Sequence, residues 1–442
     1  MKIAILGFGT VGSGVYEIAR TLKNIEVKKV LEKDLSKINI ATDSYDEIIN
    51  DKEIELVVEC MGGLHPAYEF IMKALQNKKS VVSANKAVIA KYLDEFLKTA
   101  KENNVEFRFE ASVGGGIPCL ASIQKIRRVE NIDKFYGIFN GTSNFILDNM
   151  YRLENEFFRS LKSAQKLGYA EADPSADIDG YDVTNKVIIS FALAYDGFIK
   201  NEFPCFTMKN ITKEDILYFK KQGFVAKYIG EATTKGNEYE SSVMLNLFPI
   251  NTLEANILSN YNIVTVQSYT MGEVKFYGQG AGKLPTANVI IQDILDIQAK
   301  ISFNPISIEK KYTYSSNLFK HKYVIRSNEE LKGNFERIDR DGNNFYHYTK
   351  EITQADLLKL VEEKDYLVVK LSEYWYNIKS YKLLWLKLFF VIKVHKIFLK
   401  KKYAVLDIRR GNEKEFYYLY FYYFFTNFFY CFCRKRSRFW KT

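Results

Sequence analysis

The sequence predicts an α/β fold that opens with a doubly wound parallel sheet. Two observations predict it. The chain begins with an apolar run of strand type (MKIAILGFG) that leads directly into a glycine-rich turn and a helical segment. Apolar strand segments and helical segments then alternate as far as residue 111, and this alternation is typical of β-α-β units in a parallel sheet.

The first turn carries a dinucleotide-binding pattern. Gly7-Phe8-Gly9-Thr10-Val11-Gly12 reads G-x-G-x-x-G and lies between the first strand and the first helix. In this context the glycines permit a tight turn and a close approach of the backbone to a pyrophosphate. The helix amino terminus directs its partial positive charge at the phosphates. The motif therefore predicts a Rossmann-type site for a nicotinamide dinucleotide.

The second predicted strand, residues 27–31, leaves the choice between NAD and NADP open. It ends in Glu32, Lys33 and Asp34. An acid at this position binds the ribose 2′-hydroxyl of NAD, whereas a base accommodates the 2′-phosphate of NADP. Lys33 is either that base or a solvated loop lysine.

Later strands of the predicted sheet end in further candidate residues. The strand segments 54–60, 80–83 and 105–111 precede Gly62, Lys86 and the glycine turn 114–116, and a helix is predicted over 92–104. Because the carboxyl ends of parallel strands face the ligand crevice, these residues are expected to gather at the functional edge. Lys86 is expected to contact the nicotinamide end or the substrate, the alternative being a solvent-facing lysine. The glycine turn either holds a small cation through its carbonyls or only reverses the chain.

The most informative stretch is 168–186, GYAEADPSADIDGYDVTNK. It combines five carboxylates with one lysine, and a helix is predicted from Asp182 onward. Asp182 and Lys186 are four residues apart and so share one helix face. A lysine at the mouth of a buried helix, surrounded by acids, suits proton transfer. The alternative interpretation is an acidic loop that caps a helix with an ordinary surface ion pair.

Six segments together carry a family resemblance: GFGTVGSGV (7–15), SANKAV (83–88), EASVGGGIP (110–118), NGTSNFIL (140–147), residues 168–186 and YGQGAGKLPTA (277–287). Across roughly residues 1–305 the chain resembles the monofunctional homoserine dehydrogenases. The resemblance implies NAD(P)-dependent interconversion of L-homoserine and L-aspartate 4-semialdehyde on the route to threonine, methionine and isoleucine. It also implies a homodimer or homotetramer.

The resemblance assigns roles to individual residues. Lys186 corresponds to the acid/base lysine and Lys86 to a second lysine between cofactor and substrate. Asp177 and Asp182 correspond to acids that position the substrate and the lysine, and Glu171 to a substrate-binding residue. Further expected contacts are Gly168 and Gly280 to the nicotinamide half, Lys33 in place of a family arginine, and Glu110, Val113, Gly115 and Ile117 around a monovalent cation such as sodium.

These residue types suit the implied chemistry. Oxidation of an alcohol requires a base for the hydroxyl proton while hydride leaves to the cofactor. Neutral Lys186 can be that base if burial and a nearby cation, for which Lys86 is the candidate, depress its pKa. Glu171 can bind the substrate ammonium.

The resemblance and the element pattern together predict the domain organisation. A dinucleotide-binding domain spans 1–135 and is completed by about 281–305, and an α+β catalytic and dimerisation domain spans 136–280. A small C-terminal addition, for which a regulatory role is one alternative, spans 306–371. Residues 372–442 form an anomalous aromatic and basic tail.

Composition narrows the function classes. The five cysteines lack the spacing of a disulfide framework, the four histidines are scattered, and no signal peptide precedes the first strand, so a cytoplasmic protein is expected. Two alternatives to homoserine dehydrogenase remain. One is a related two-domain dehydrogenase of another small substrate, although no cysteine–histidine pair suited to aspartate-semialdehyde dehydrogenase stands out. The other is a non-catalytic nucleotide-binding derivative with a membrane-tethering tail.

The tail differs in composition from the rest of the chain. Residues 374–442 contain 24 aromatic side chains and carry a net charge of +13, whereas residues 1–373 carry −3. The overall basic charge therefore does not indicate nucleic-acid binding by the enzyme region. The uncharged segment 416–433 is long enough to span a bilayer, but it consists mainly of Phe and Tyr. We favour an aberrant, out-of-frame carboxyl terminus over a membrane anchor, and both over a segment that binds single-stranded nucleic acid.

Overall fold

The computed structural model describes residues 1–301, 306–307, 309–362 and 364–372. The first part of the chain alternates strands and helices: β1 (Lys2–Leu6), α1 (Thr10–Ala19), β2 (Glu26–Leu31), β3 (Ala41–Thr42), α2 (Tyr45–Asn50), β4 (Leu56–Glu59), α3 (Ala67–Gln76), β5 (Ser80–Ser83), α4 (Lys86–Glu102), β6 (Phe107–Arg108) and α5 (Cys119–Arg127). Of the predicted strand 105–111 only β6 forms, because the chain enters a single 3₁₀ turn at Glu110–Ser112.

The second part of the chain begins with a strand and a helical region. Its elements are β7 (Ile132–Ile138), α6 (Gly141–Leu153), α7 (Phe157–Lys166), α8 (Ser175–Ile178), α9 (Tyr181–Tyr195), α10 (Lys213–Lys221), β8 (Phe224–Lys235), β9 (Glu238–Pro249), β10 (Tyr261–Ser268), β11 (Gly272–Gln279) and α11 (Lys283–Gln298). The last described elements are β12 (Thr313–Tyr314), β13 (Lys320–His321), β14 (Tyr323–Ser327), β15 (Phe335–Asp341), β16 (Asn344–Thr349), β17 (Ile352–Thr353), α12 (Gln354–Leu360) and β18 (Leu367–Leu371).

The amino-terminal strands form the predicted parallel sheet. Within the described residues its order is β3-β2-β1-β4-β5-β6, and every neighbouring pair is parallel. The order reverses direction at β1, and this reversal places the ligand crevice beside the loop that follows β1. Helix α11 returns to this sheet, where Ala287, Ile290 and Ile294 join a buried cluster with residues of β1 and α1. The doubly wound fold class is confirmed.

A second, mixed sheet carries the other half of the protein. Its described strands run in the order β11-β10-β7-β8-β9-β18-β14-β16-β15. Helix α9 lies directly on β8, because a Cβ at Gly230 would come within 2.5 Å of Val187 and 2.7 Å of Val183. A larger residue at 230 would push the helix away from the sheet, so the lack of a side chain at Gly230 sets the distance between α9 and β8.

The C-terminal strands continue this second sheet. β18 pairs in parallel with β9, and β14, β16 and β15 extend the sheet outward in antiparallel fashion. None of the described helices is long and apolar enough to cross a membrane. Residues 373–442 of the predicted tail, which include the candidate spanning segment 416–433, lie outside the described residues.

One buried carboxylate connects these C-terminal strands to helix α10. Asp215 forms a capping box with Thr212 at the start of α10. Its carboxylate also accepts hydrogen bonds from Tyr346 Oη at 2.9 Å and from Arg326 Nε at 3.2 Å. The side chain is fully buried, so its charge depends on these partners.

We predict that Asp215→Ala lowers the free energy of unfolding by about 3–5 kcal/mol, because it leaves the largely buried Arg326 guanidinium, whose side chain is 13% exposed, without its carboxylate. Asp356→Ala is the matched control, since Asp356 forms the same capping box with Thr353 at α12 but is exposed. Its loss is expected to destabilise the protein much less, because the exposed carboxylate is solvated in the folded protein. Urea denaturation of both variants measures the difference, and equal losses would contradict the anchoring role of Asp215.

Candidate active site

The glycine turn after β1 is shaped for a dinucleotide. Gly7 has φ +90°, and a Cβ at Gly12 would lie 2.0 Å from the Gly7 carbonyl oxygen. Helix α1 begins at Thr10, and its N-cap residue Gly9 provides no side-chain hydrogen bond. The first N–H groups of the helix are therefore open to an anionic ligand, and the turn fits a pyrophosphate.

An acid stands where the ribose of such a ligand would lie. The Glu32 carboxylate, directly after β2, accepts hydrogen bonds from Phe8 N and Asp34 N, both at 3.3 Å. It also pairs with Lys37 at 3.1 Å. Burial opposes ionisation, but the Lys37 and backbone hydrogen bonds lower the pKa of Glu32 below its ordinary value. Lys33 is exposed on the same loop.

The predicted pair on α9 is present and buried. Lys186 Nζ donates to Asp182 Oδ2 at 2.9 Å and to the Phe139 carbonyl oxygen at 2.6 Å. Burial lowers the pKa of Lys186, the Asp182 charge opposes this shift, and the nearby charge of Lys86 adds to it. The alternative of an ordinary surface ion pair is therefore wrong, because the side chains of Asp182 and Lys186 are only 3% and 9% exposed.

Lys86 reaches the same carboxylate from the other half of the protein. It is the first residue of α4, whose N-cap is Asn85, so the helix begins six residues earlier than the sequence pattern predicts. Lys86 Nζ forms an ion pair with Asp182 Oδ1. The Asp182 charge raises the pKa of Lys86, so this lysine is held as a cation.

Asp182 thus lies between two ammonium groups. Burial alone would raise its pKa, but the charges of Lys186 and Lys86 outweigh burial and hold the pKa well below its ordinary value. Asp182 stays ionised throughout the physiological range.

Asp177 joins the cluster through Asn140. The Asn140 amide donates to Asp177 Oδ1 at 2.6 Å and to Asp182 Oδ2 at 2.9 Å. Burial raises the pKa of Asp177, the Asn140 hydrogen bond opposes the shift, and the Asp182 charge adds to it. Lys86, Asp177, Asp182 and Lys186 are therefore brought together as one cluster.

Glu171 and Gly168 lie in the loop at the mouth of this cluster. Both are exposed, and the Glu171 charge is close enough to raise the pKa of Lys86. Thr142 Oγ1 donates to the Tyr169 carbonyl oxygen at 2.6 Å and so ties the loop to α6. The exposed carboxylate of Glu171 faces solvent and is available to a ligand.

The predicted cation turn is built against Gly280. The Glu110 carboxylate accepts hydrogen bonds from Leu120 N at 2.9 Å and Ala121 N at 2.6 Å, at the start of α5. Burial raises the pKa of Glu110 to about 8, and the nearby Asp293 adds to the shift. Gly116 N donates to the Gln279 carbonyl oxygen at 3.1 Å, and a Cβ at Gly115 would lie 2.4 Å from the Gly280 oxygen.

The turn thus keeps close contact with the strand end at 279–280. Val113 and Ile117 of this turn are buried, as are Gly115 and Gly280. Among the described residues, no three His, Cys, Asp or Glu side chains gather as a metal site.

Sequence reasoning missed two contributors to the cluster. Asn140 and the Phe139 carbonyl lie at the junction of β7 and α6, where Asn140 is the N-cap. An asparagine directly before a helix start is a recognisable capping signal. The signal indicates the cap, but contact with residues 177–186 requires the tertiary fold.

The arrangement combines a dinucleotide crevice with a buried lysine adjacent to a second, charged lysine. These are the components that hydride transfer to or from an alcohol carbon requires from a protein: a cofactor site, a proton acceptor and fixed charges.

Comparison with known proteins identifies the family of this chain. A family model described as the NAD-binding domain of homoserine dehydrogenase matches residues 7–110, and one described as homoserine dehydrogenase matches residues 118–295. The homoserine dehydrogenase of Synechocystis is 39% identical over 316 residues, 67% of this chain and 73% of that protein. The Bacillus subtilis enzyme is 35% identical over 366 residues, 76% of this chain and 84% of that protein.

Solved structures give the same result. A homoserine dehydrogenase from Thiobacillus denitrificans superposes with a TM-score of 0.77 at 28% identity, covering 84% of this chain and 98% of that one. A mutant hyperthermophilic archaeal homoserine dehydrogenase in complex with NADPH superposes with a TM-score of 0.61 at 25% identity, covering 69% and 99%. The chain therefore belongs to the homoserine dehydrogenase family, NAD(P)-dependent oxidoreductases that act on a CH–OH group.

Proposed function

We propose that Lys186 is the acid/base residue that moves the hydroxyl proton when L-homoserine and L-aspartate 4-semialdehyde are interconverted. The observation that carries the proposal is the pair of acceptors around its Nζ, Asp182 Oδ2 at 2.9 Å and the Phe139 carbonyl oxygen at 2.6 Å. An amine with two hydrogens committed to fixed acceptors has one tetrahedral position left. In the neutral form that position is a lone pair, and in the ammonium form it is an N–H donor.

This geometry serves both reaction directions. Neutral Lys186 accepts the substrate hydroxyl proton during oxidation, and protonated Lys186 returns it to the carbonyl oxygen during reduction. Bound NAD(P) supplies the hydride acceptor or donor. Asp182 keeps Nζ oriented in both states, because it accepts a hydrogen bond from the amine and from the ammonium alike.

We propose that side chains of opposite charge contact the two ends of the substrate. Glu171 is exposed at the mouth of the cluster and binds the substrate ammonium. Lys86 is 44% exposed and remains a cation, which places it to contact the cofactor and the substrate. Asp177 positions the substrate, and Gly168 and Gly280 supply backbone contacts to the nicotinamide half.

For the cofactor, the structure favours the proposal that NAD is preferred to NADP. Glu32 already accepts a hydrogen bond from the glycine loop at Phe8 N. A carboxylate held there accepts ribose hydroxyls and repels a 2′-phosphate. Lys33 and Lys37 on the same loop supply positive charge, so NADP is expected to be used less efficiently rather than excluded.

The remaining assignments rest on the family. We propose a sodium ion at the turn formed by Glu110, Val113, Gly115 and Ile117, where backbone carbonyls and a carboxylate are suitable oxygen donors for a hard cation. We also propose a cytoplasmic homodimer or homotetramer that acts on the route to threonine, methionine and isoleucine.

We predict that Lys186→Ala lowers kcat for homoserine oxidation by about 10²–10⁴-fold while the Kd of NAD(P)H changes less than about threefold, because the lysine acts on the substrate hydroxyl. Added methylamine is expected to restore part of the rate by occupying the vacated space. Lys209→Ala is the control, since Lys209 pairs with the neighbouring Asp179 outside the cluster. A Lys186→Ala variant that keeps near wild-type turnover at every pH would contradict the assignment.

We predict that Lys86→Ala moves the pH dependence of homoserine oxidation to higher pH. Lys86 lowers the pKa of Lys186, so its removal raises that pKa, and neutral Lys186 is then reached only at higher pH. The measurement is the midpoint of the rising limb of kcat against pH. Lys91→Ala removes an exposed lysine from the same helix and should leave the midpoint in place. An unmoved midpoint in Lys86→Ala would refute the coupling.

We predict that Glu32→Gln raises the ratio of kcat/KM for NADP over NAD about tenfold, because it removes the charge that repels a 2′-phosphate. Asp34→Asn removes a carboxylate from the same loop that instead caps Ser36, so it should leave the ratio nearly unchanged. The measurement is kcat/KM from initial rates with NAD and with NADP for each variant. If the two variants shifted the ratio equally, general loop charge rather than Glu32 would set the preference.

A further inference from the structure

Every polar group of the Asn140 side chain forms a hydrogen bond. Its Oδ1 accepts a hydrogen bond from Ser143 N at 2.7 Å, which caps α6. Its Nδ2 donates to Asp177 at 2.6 Å and to Asp182 at 2.9 Å. The residue is 4% exposed, so water does not substitute for these partners.

These partners determine the orientation of the amide. A backbone N–H can only donate, so the atom that faces Ser143 N must be the oxygen. The carboxylates of Asp177 and Asp182 accept when ionised, so the atom that faces them must be the nitrogen. The helix cap therefore holds the amide with both N–H groups directed at the carboxylates.

The two carboxylates need a shared donor. Asp177 and Asp182 come from successive helices, α8 and α9, and the charge of Asp182 disfavours ionisation of Asp177. Lys186 donates to Asp182 and Lys86 pairs with it, whereas the hydrogen bond to Asp177 comes from Asn140. Charge-assisted bonds from one amide to two carboxylates offset their repulsion in a buried setting.

We propose that Asn140 is a positioning residue for the dehydrogenase reaction: it holds Asp177 and Asp182 at a fixed separation and thereby orients Lys186. The chain direction at this point supports the proposal. The preceding residue, Phe139, provides the carbonyl that accepts from Lys186 Nζ, so adjacent residues hold the lysine and its carboxylate partner. The inference rests on the catalytic roles proposed above.

Two substitutions separate this role from helix capping. Asn140→Asp has the same shape and keeps the acceptor for Ser143 N, but loses both donors. Asn140→Ser keeps a favourable N-cap residue and cannot donate to both carboxylates. We expect either change to lower kcat/KM for homoserine roughly 10- to 100-fold, the loss typical of a hydrogen bond to a charged group, with the Kd of NAD(P)H nearly unchanged.

The diagnostic measurement is the acid limb of the pH profile, the range in which the rate of homoserine oxidation falls as the pH is lowered. Loss of the amide donor leaves the carboxylates more basic and favours the ammonium form of Lys186, so both variants should lose activity at a higher pH than the wild type as pH falls. Besides the two carboxylates, the charged groups that face this region are Lys86, Lys186 and Glu171. All three are unchanged in the variants. Asn140→Asp also adds a carboxylate, which moves the acid limb in the same direction, whereas Asn140→Ser adds no charge, so a shift common to both variants reports the lost amide donor.

Asn144→Ser is the matched control. Asn144 lies one turn further along α6, is fully buried and donates to the carbonyl oxygens of Ile257, Ser259 and Tyr261, away from the cluster. It should lower the melting temperature without moving the acid limb. The full chain is used throughout, and homoserine oxidation by the wild type, measured alongside, tests the proposed function separately.

The possible outcomes are distinct. The positioning role would be overturned if Asn140→Asp and Asn140→Ser kept the acid limb of the wild type and a kcat/KM within about threefold of the wild-type value. An equal shift of the acid limb in Asn144→Ser would also overturn it, because the effect would then follow from a general loosening of α6. If Asn140→Ser fails to fold, Asn140→Asp, which keeps the cap, decides alone.

Discussion

The proposed active site depends on one buried carboxylate. Asp182 accepts a hydrogen bond from Lys186, forms an ion pair with Lys86 and accepts a further hydrogen bond from Asn140. Burial alone would raise the pKa of Asp182, but the two cations outweigh burial and hold it well below its ordinary value. Its partners respond in opposite directions, because Lys86 is stabilised as a cation while burial lowers the pKa of Lys186. The pKa values of the two lysines thus shift in opposite directions because their surroundings differ.

The fold supplies the burial that this difference requires. Helix α9 lies against β8 at Gly230, which brings Lys186 deep enough for desolvation to dominate its pKa. Lys86 begins α4 in the nucleotide-binding half and is only partly buried. The pair therefore joins the cofactor crevice to the catalytic half through Asp182. A substrate bound there would contact residues from both halves.

The proposed catalytic cluster and the Asp215 network surround a buried carboxylate in different ways. Asp215 at the start of α10 is also fully buried, but an arginine fork, a tyrosine hydroxyl and its own helix cap satisfy it completely. Such a closed network holds elements together and leaves no group free to react. The cluster around Asp182, proposed to be catalytic, differs because Lys186 retains an open position and Glu171 stays exposed. Both sites bury charge. The cluster around Asp182 is distinguished from the Asp215 network by the open position on Lys186 Nζ and by the exposure of Glu171.

The sequence by itself determined the doubly wound fold, the glycine turn and the i, i+4 pair of Asp182 and Lys186, because these follow from local periodicity and turn chemistry. The family motifs likewise identified the reaction class. Only the tertiary structure decided that α4 begins at Lys86, that Lys86 reaches Asp182, and that Asn140 joins Asp177 to it. Those contacts join residues up to 96 positions apart in sequence. Their existence depends on how two sheets and their helices pack, and no local pattern encodes that packing.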